Sequence, residues 1–430
     1  MALIPAVVLL LIIRAMGDLG GWGIRQVLAL SLGMTTSVLV TAGFVQGMSR
    51  RASVCLAFGD MRSAIRFLRG ALLVAAIGVS AFAVSVVTVA QAVGVFAPQE
   101  VLTFLLSFLG LSTIWLLAAG LSLLRASGWL GAGLAGGLAL GVVVDRSLAS
   151  LPDVHLAAGA LAGFLSTVAI ISWALHRAVR LRSGQVQRRV ALPPAAYLFW
   201  EASPYFAYGA LYAVLLFIPH ALGWVAVALG DQPRLWAVAS LEAGLCLSLL
   251  PLILANGVAE RTLQQFWRRA AATQATIPGH DPAEFNRTLT RFYWRQLVRY
   301  LVVLSVFTGL TYLVFRWTVE VGLVAAWLGL SNLDVVVNVF AAGLGAYWLL
   351  GWGLFNCMFP LTMACPNYAL RALLPSTGVV IVVGLPLSLG LGFGFAAVAA
   401  IVGSAAYVLA SSRMTVRMFR AADYYYASAF

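Results

Sequence analysis

The apolar residues of this chain gather into long runs that carry almost no charge and are separated by short arginine-bearing segments. A helix needs about 20 apolar residues to cross the ~30 Å hydrocarbon core of a bilayer. A segment that crosses has to be helical or part of a closed barrel, because lipid offers no partners to backbone N–H and C=O groups. The runs lie at 1–17, 26–48, 67–92, 102–123, 127–144, 154–175, 204–229, 235–257, 297–317, 335–359, 372–390 and 393–412. The apolar segment 318–333 is short, and it is expected to be an external loop or surface helix. With 62% hydrophobic and 10% charged residues, the chain is far from the roughly half-apolar, quarter-charged make-up of soluble domains. The fold class expected is all-α: a polytopic membrane protein with about twelve transmembrane helices. Too little chain remains outside the runs for a large soluble catalytic domain.

The charges test this division. All 27 basic residues are arginine, against 14 acids, for a net charge of +13. In a soluble protein that excess would point to nucleic acid; here it tracks the membrane. With the N-terminus inside, the inner connections collect 22 arginines, from Arg50 and Arg51 after the second run to Arg413, Arg417 and Arg420 after the last. The outer connections hold Arg25, Arg146, Arg234 and Arg316, and Arg14 lies within the first run. Cytoplasmic loops carry the excess of basic residues. Both termini are therefore expected in the cytoplasm and the protein in the cytoplasmic (inner) membrane. The inner segments alternate heavy, light, heavy in arginine in each half of the chain, as two parallel six-helix lobes would. The expected division is an N-terminal lobe at 1–176, a cytoplasmic basic linker at 177–203 marked by Pro193-Pro194, and a C-terminal lobe at 204–412. That second lobe contains a cytoplasmic loop at 258–296, and a cytoplasmic tail follows at 413–430.

Within that loop, Asp281-Pro282 is a helix start with Glu284 in the first turn. Arg287, Arg291, Arg295 and Arg299 follow at four-residue spacing, beside an apolar face of Phe285, Leu289 and Phe292. This pattern predicts an amphipathic helix over 282–296 on the inner leaflet, where the four arginines meet membrane lipids or dock a cytoplasmic partner.

Catalytic sets are missing from the sequence. It has no P-loop, no HExxH and no GxSxG, and the cysteines Cys55, Cys246, Cys357 and Cys365 form no CxxC pair. The histidines His155, His176, His220 and His280 are isolated in sequence. No enzyme activity, cofactor, metal or nucleic-acid partner is expected. Polar residues inside the runs remain. Glu242 lies seven residues into the run 235–257, where a carboxylate is costly and so faces a cavity or a partner. Candidates to line a substrate cavity are Glu242, Arg14, the polar row Thr35, Thr36, Thr41 and Gln46, and Asn256.

Two superfamilies of carriers share a twelve-span, six-plus-six plan. The signature loop of the major facilitator group is missing from GMSRRASVCLAFGDMRSAIRFLRG, between the second and third runs. Four stretches give the chain its resemblance to Pel-type exopolysaccharide transporters (PelG-like) of the multidrug/oligosaccharidyl-lipid/polysaccharide (MOP) flippase superfamily. They are the loop with Ser49, Arg50 and Asp60, the stretch PYFAYGALYAVLLF in the run 204–229, the segment from Glu260 to Leu297, and the chain end ADYYYASAF. The resemblance implies a carrier that exports a polysaccharide across the inner membrane, supplied by a cytoplasmic glycosyltransferase and other membrane subunits. Two other readings stay open: a flippase for a lipid-linked oligosaccharide or precursor, and a non-transporting scaffold of a polysaccharide synthase.

Overall fold

The computed structural model describes residues 24–57, 60–92, 97–124, 126, 128–148, 155–183, 195–229, 235–276, 281–324 and 333–428. Among these residues no strand occurs. The helices are α1 (Ile24–Ala57), α2 (Met61–Ala92), α3 (Pro98–Leu123), α4 (Gly128–Ser147), α5 (His155–Ser183), α6 (Ala195–Ala228), α7 (Leu235–Ser248), α8 (Leu250–Thr276), α9 (Pro282–Glu320), α10 (Leu333–Thr362), α11 (Pro366–Leu391), α12 (Ala396–Arg420) and α13 (Ala422–Ser428). Ten helical stretches among the described residues are long and apolar enough to cross a membrane. The 34-residue α1, built on the run 26–48, is a further long helix. The run 1–17, with Arg14, lies outside the described residues.

Local sequence explains where the helices begin and bend. α3 starts at Pro98, and the Glu100 carboxylate turns back to accept the Ala97 N–H at 2.7 Å. Asp281 caps α9 by accepting the Glu284 N–H at 3.0 Å, with Pro282 at the first helical position. α7 and α8 are two pieces of one crossing that bends at Leu249, just before Pro251. Gly392, at φ 112°, makes the sharp corner between α11 and the single 3-10 turn Phe393–Phe395 that leads into α12.

Two compact units form, dividing inside α6 between Ala213 and Val214. In the first, α1 packs on α3, α4 on α5, and α3 on α5. In the second, the α7–α8 crossing packs on α10, α11 on α12, and α10 on α12. Counted as crossings within each half, these are the same pairings, so each unit repeats the internal plan of the other. α4 and α5 meet backbone to backbone, since a Cβ on Gly137 would stand 2.6 Å from the Gly163 carbonyl and one on Gly141 2.9 Å from that of Gly159. Such close approach of small residues gives lipid-embedded helices the dispersion contact that the hydrophobic effect does not supply there.

The segment 258–296 is not a loop, and 282–296 is not a separate surface helix. α8 runs on to Thr276 and α9 begins at Pro282, so the segment is a helical hairpin that continues two crossings past the membrane. The 39 residues of α9 make a rod about 58 Å long, twice the hydrocarbon thickness. The physical reason lies in its apolar face. Phe285, Leu289, Phe292, Leu297, Tyr300 and Leu304 recur at helical spacing and are buried against Phe266 and Ala270 of α8, Phe355 and Phe359 of α10, and Phe419 of α12. That face is spent on the protein, leaving none to lie in the leaflet. The segment 413–430 is likewise helical through Ser428, first as the end of α12 and then as α13. α13 is tied to α11 by a 2.7 Å hydrogen bond between the Tyr425 and Tyr368 hydroxyls, which with partial burial pushes the Tyr425 phenol up to about 12.

Candidate functional site

Glu242 sits two turns into α7, and α6 brings two donors to it. His220 Nδ1 lies 3.0 and 2.9 Å from the two carboxylate oxygens, and the Trp224 indole N–H donates to Oε1 at 2.7 Å. His220 and Trp224 are four residues apart, so one face of α6 presents both, and Pro219 precedes the histidine. The His220 side chain is 1% exposed and that of Glu242 13%. A carboxylate this deep is tolerated because each oxygen has a partner. The pair is unequal: Glu242 is fully engaged, whereas His220 Nε2 is buried and has no hydrogen-bond partner among the described residues. With its Nδ1–H donated to the carboxylate, a neutral imidazole leaves a bare acceptor at Nε2; protonation turns it into a bare donor and neutralises the pair. Phe217 closes over the imidazole at a ring distance of 5.4 Å, and Cys246 follows Glu242 by one turn.

Of the other cavity candidates, Asn256 shares a crossing with this carboxylate but not its surroundings. Asn256 is half-buried on α8, 14 residues along the crossing from Glu242, about 21 Å of helix. In the first unit, Thr35 and Thr41 are buried, Thr36 is half-buried and donates to the Leu32 carbonyl at 2.6 Å, and Thr41 donates to that of Ser37 at 2.6 Å. These two hydroxyls are satisfied by their own helix. Gln46 packs against Gly209 of α6. Arg287, Arg291, Arg295 and Arg299 are all exposed along α9. No group of three or more potential metal ligands occurs among the described residues. Trp348 and Trp352 pack edge to face at 5.8 Å, with the Trp348 N–H donated to Ser305 Oγ at 3.0 Å.

His220 is not marked by its spacing in the sequence, since the other histidines lie far from it along the chain. Its signal was depth: like Glu242, it interrupts the middle of an apolar run. Two ionisable groups of opposite charge type in consecutive crossings are candidates to pair. Trp224 carried no such mark, as its indole could equally have belonged to a membrane belt.

A second polar centre joins three helices of the hairpin region. Tyr293 of α9 donates to Asn356 Oδ1 at 2.8 Å, and Asn356 Nδ2 donates to Ser412 Oγ at 2.9 Å and Ser411 Oγ at 3.3 Å on α12. Thr415 returns a bond to the Asn356 carbonyl at 3.1 Å. The Asn356 side-chain amide has partners at both ends, and the arrangement ties helices together rather than presenting a ligand site.

These features define an all-α, multi-pass membrane protein built from two like helical units, with a buried acid–histidine pair in the second. No protein-family model matches the sequence, and neither does any curated protein. Solved structures do match. The chain is similar to a variant of the Vibrio cholerae MATE transporter VcmN, with a TM-score of 0.70 at 14% identity over 99% of this chain and 94% of that one. It is also similar to a multidrug resistance MATE family transporter of the MOP superfamily. The TM-score is 0.67 at 12% identity for the outward-facing form, over 96% of this chain and 92% of that one. For an inward-facing form it is 0.61 at 12% identity, over 97% and 96%. The fold is that of the MATE transporters.

Proposed function

We propose that the chain is a carrier that passes an exopolysaccharide across the cytoplasmic membrane by alternating access, with both termini in the cytoplasm. The observation that carries this reading is the likeness, over nearly the whole of both chains, to MATE structures in outward-facing and inward-facing forms. A fold found in both forms is suited to exposing one cavity to each side in turn. The saccharide substrate is supported by the four stretches that resemble Pel-type transporters. A carrier of a hydroxyl-rich chain needs hydrogen-bonding groups and gentle binding rather than catalysis, so no enzymatic step is assigned. A cytoplasmic glycosyltransferase and further membrane subunits would deliver the polymer. Glu242 is the residue assigned to the switch, where its carboxylate meets substrate hydroxyls or gains and loses a proton against His220.

The test is to locate the polymer in cells lacking this chain. Polymer retained in the cytoplasm supports the carrier. Polymer outside at wild-type level overturns it, and absence of polymer from both compartments would assign the chain to the synthase as a scaffold.

A further inference from the structure

A groove of about 610 Å³ opens between the first turns of α9 and the corner where α12 turns into α13. Arg287 and Arg291 stand on one side, Arg420 and Tyr424 on the other. Asn286 closes the floor: its Nδ2 donates to the Arg420 carbonyl at 3.2 Å and to Asp423 Oδ1 at 2.7 Å, and its Oδ1 accepts the Asp423 N–H at 2.8 Å. The one carboxylate in the groove is thus already engaged. Among the described residues, none of the three guanidiniums has an ion-pair partner. The three guanidiniums outnumber the Asp423 carboxylate, so the lining of a space large enough for a small charged group is net positive.

The depth of this groove says what charge it meets. Trp294 is 48% exposed and Trp317 58%. They lie 23 residues apart on one helix, or about 35 Å along it, which places the two indoles at opposite faces of the hydrocarbon core. Arg291 is then about 4.5 Å, and Arg287 about 10 Å, beyond the Trp294 level. Arg291 is thus at headgroup depth, since the polar layer adds roughly 5–7 Å per side, and Arg287 lies just beyond it, within reach of its long side chain. Orientation agrees with depth. Arg287, Arg291, Trp294, Val298 and Val302 follow at spacings of four, three, four and four, so they form one stripe of α9. Val298 and Val302 are 59% and 57% exposed on it. A lipid-facing apolar stripe therefore runs up to the basic groove, with the exposed Arg295 and Arg299 beside it. A soluble anion has no use for that continuity; a molecule with acyl chains below and a phosphate above fits it.

We propose that the groove binds the headgroup of an anionic phospholipid, with its phosphate held by Arg287, Arg291 and Arg420 and an acyl chain along Val298 and Val302. The site is independent of what the carrier moves. The test uses the full chain purified in detergent, with native mass spectrometry of bound dioctanoyl-phosphatidylglycerol, dioctanoyl-phosphatidylcholine and glycerol phosphate. Phosphatidylglycerol should bind more tightly than the other two. Replacing all three residues (Arg287→Gln, Arg291→Gln, Arg420→Gln) should weaken phosphatidylglycerol by more than about tenfold, and Arg291→Gln or Arg420→Gln alone by about fivefold. Removing the same charge from α8 (Arg261→Gln, Arg268→Gln, Arg269→Gln) should change it by less than about threefold. The proposal is overturned if the α8 control loses as much as the groove variant, because the attraction is then diffuse charge. It is equally overturned if glycerol phosphate binds as well as the lipid, if phosphatidylglycerol has no advantage over phosphatidylcholine, or if the single variants bind like wild type.

Discussion

The carboxylate of Glu242 accepts from two side chains of α6, and each contact fixes a different consequence of removing it. Glu242→Gln keeps an acceptor for the Trp224 N–H and the shape of the side chain, but deletes the charge that His220 faces. Insertion and protein level should match wild type while export falls; wild-type export at equal protein level would make the carboxylate purely structural. A double-substitution cycle separates charge from packing. His220→Leu strands a carboxylate in the bundle and should destabilise the protein by about 3–5 kcal/mol. His220→Leu with Glu242→Leu replaces the pair by apolar volume and should cost much less than the two single changes added together. Thermal unfolding in detergent reads this directly, and additive losses would show that the two side chains are not coupled. At this scale the sequence was half legible. A lone acid in an apolar run announces that it needs a partner, but only the fold says that the partner comes from α6. The hydroxyls of Thr36 and Thr41 show another limit: the residue type announces a polar group, and only the fold shows that each donates to a carbonyl of its own helix.

Helices were legible in their cores and not at their ends. Apolar runs located the crossings because lipid imposes length and composition on them. The extensions of α8 and α9 escaped notice because hydropathy falls outside the membrane even where a helix continues. What marks them is the spacing of Phe285, Leu289 and Phe292, which repeats on the same face as Tyr300 and Leu304 within the crossing. Taken as one helix alone, that face has the pattern of a membrane-bound one. It is not one, because Phe266, Phe359 and Phe419 arrive from three other helices to cover it, with Tyr293 stacked 4.9 Å from Phe419. Between α4 and α5 the contact depends on the absence of side chains. A Cβ on Gly137 would strike Thr167 Oγ1 and the Gly163 carbonyl, and backbone cannot yield as a flexible side chain can. Gly137→Val should therefore destabilise the first unit by about 1–3 kcal/mol or more. Gly309→Ala, on α9 with open space around it, should be neutral or stabilising by up to about 1 kcal/mol, as alanine is the better helix former. Equal unfolding temperatures for the two variants would show that α4 and α5 do not need their close approach.

For the whole molecule, the arginine distribution and the repeated helix pairings bear on the same parse from unrelated physics. Retention of positive charge during insertion concentrates 22 arginines in alternate connections. Packing, which knows nothing of insertion, gives both halves the same order of partners, with second-to-fourth, fourth-to-last and the final pair of crossings in contact. If a crossing were miscounted in the middle of the chain, arginine-rich connections would fall on both sides of the membrane. The α8–α9 hairpin sharpens the argument, because its exposed Arg261, Arg268, Arg269, Arg287 and Arg291 are carried on helices that continue beyond the bilayer. They must all lie on one side, and it is the side on which α12 ends with Arg413, Arg417 and Arg420. The topology proposed for intact cells is therefore open to a direct check. In a version freed of the four native cysteines, single cysteines at positions 98, 150, 231 and 330 should react with a membrane-impermeant maleimide added from outside. Single cysteines at positions 185 and 275 should react only after the cells are permeabilised. Reaction at 275 in intact cells would turn the hairpin outward and invert every connection with it, and the proposed cytoplasmic termini would be lost together with any partner docked there.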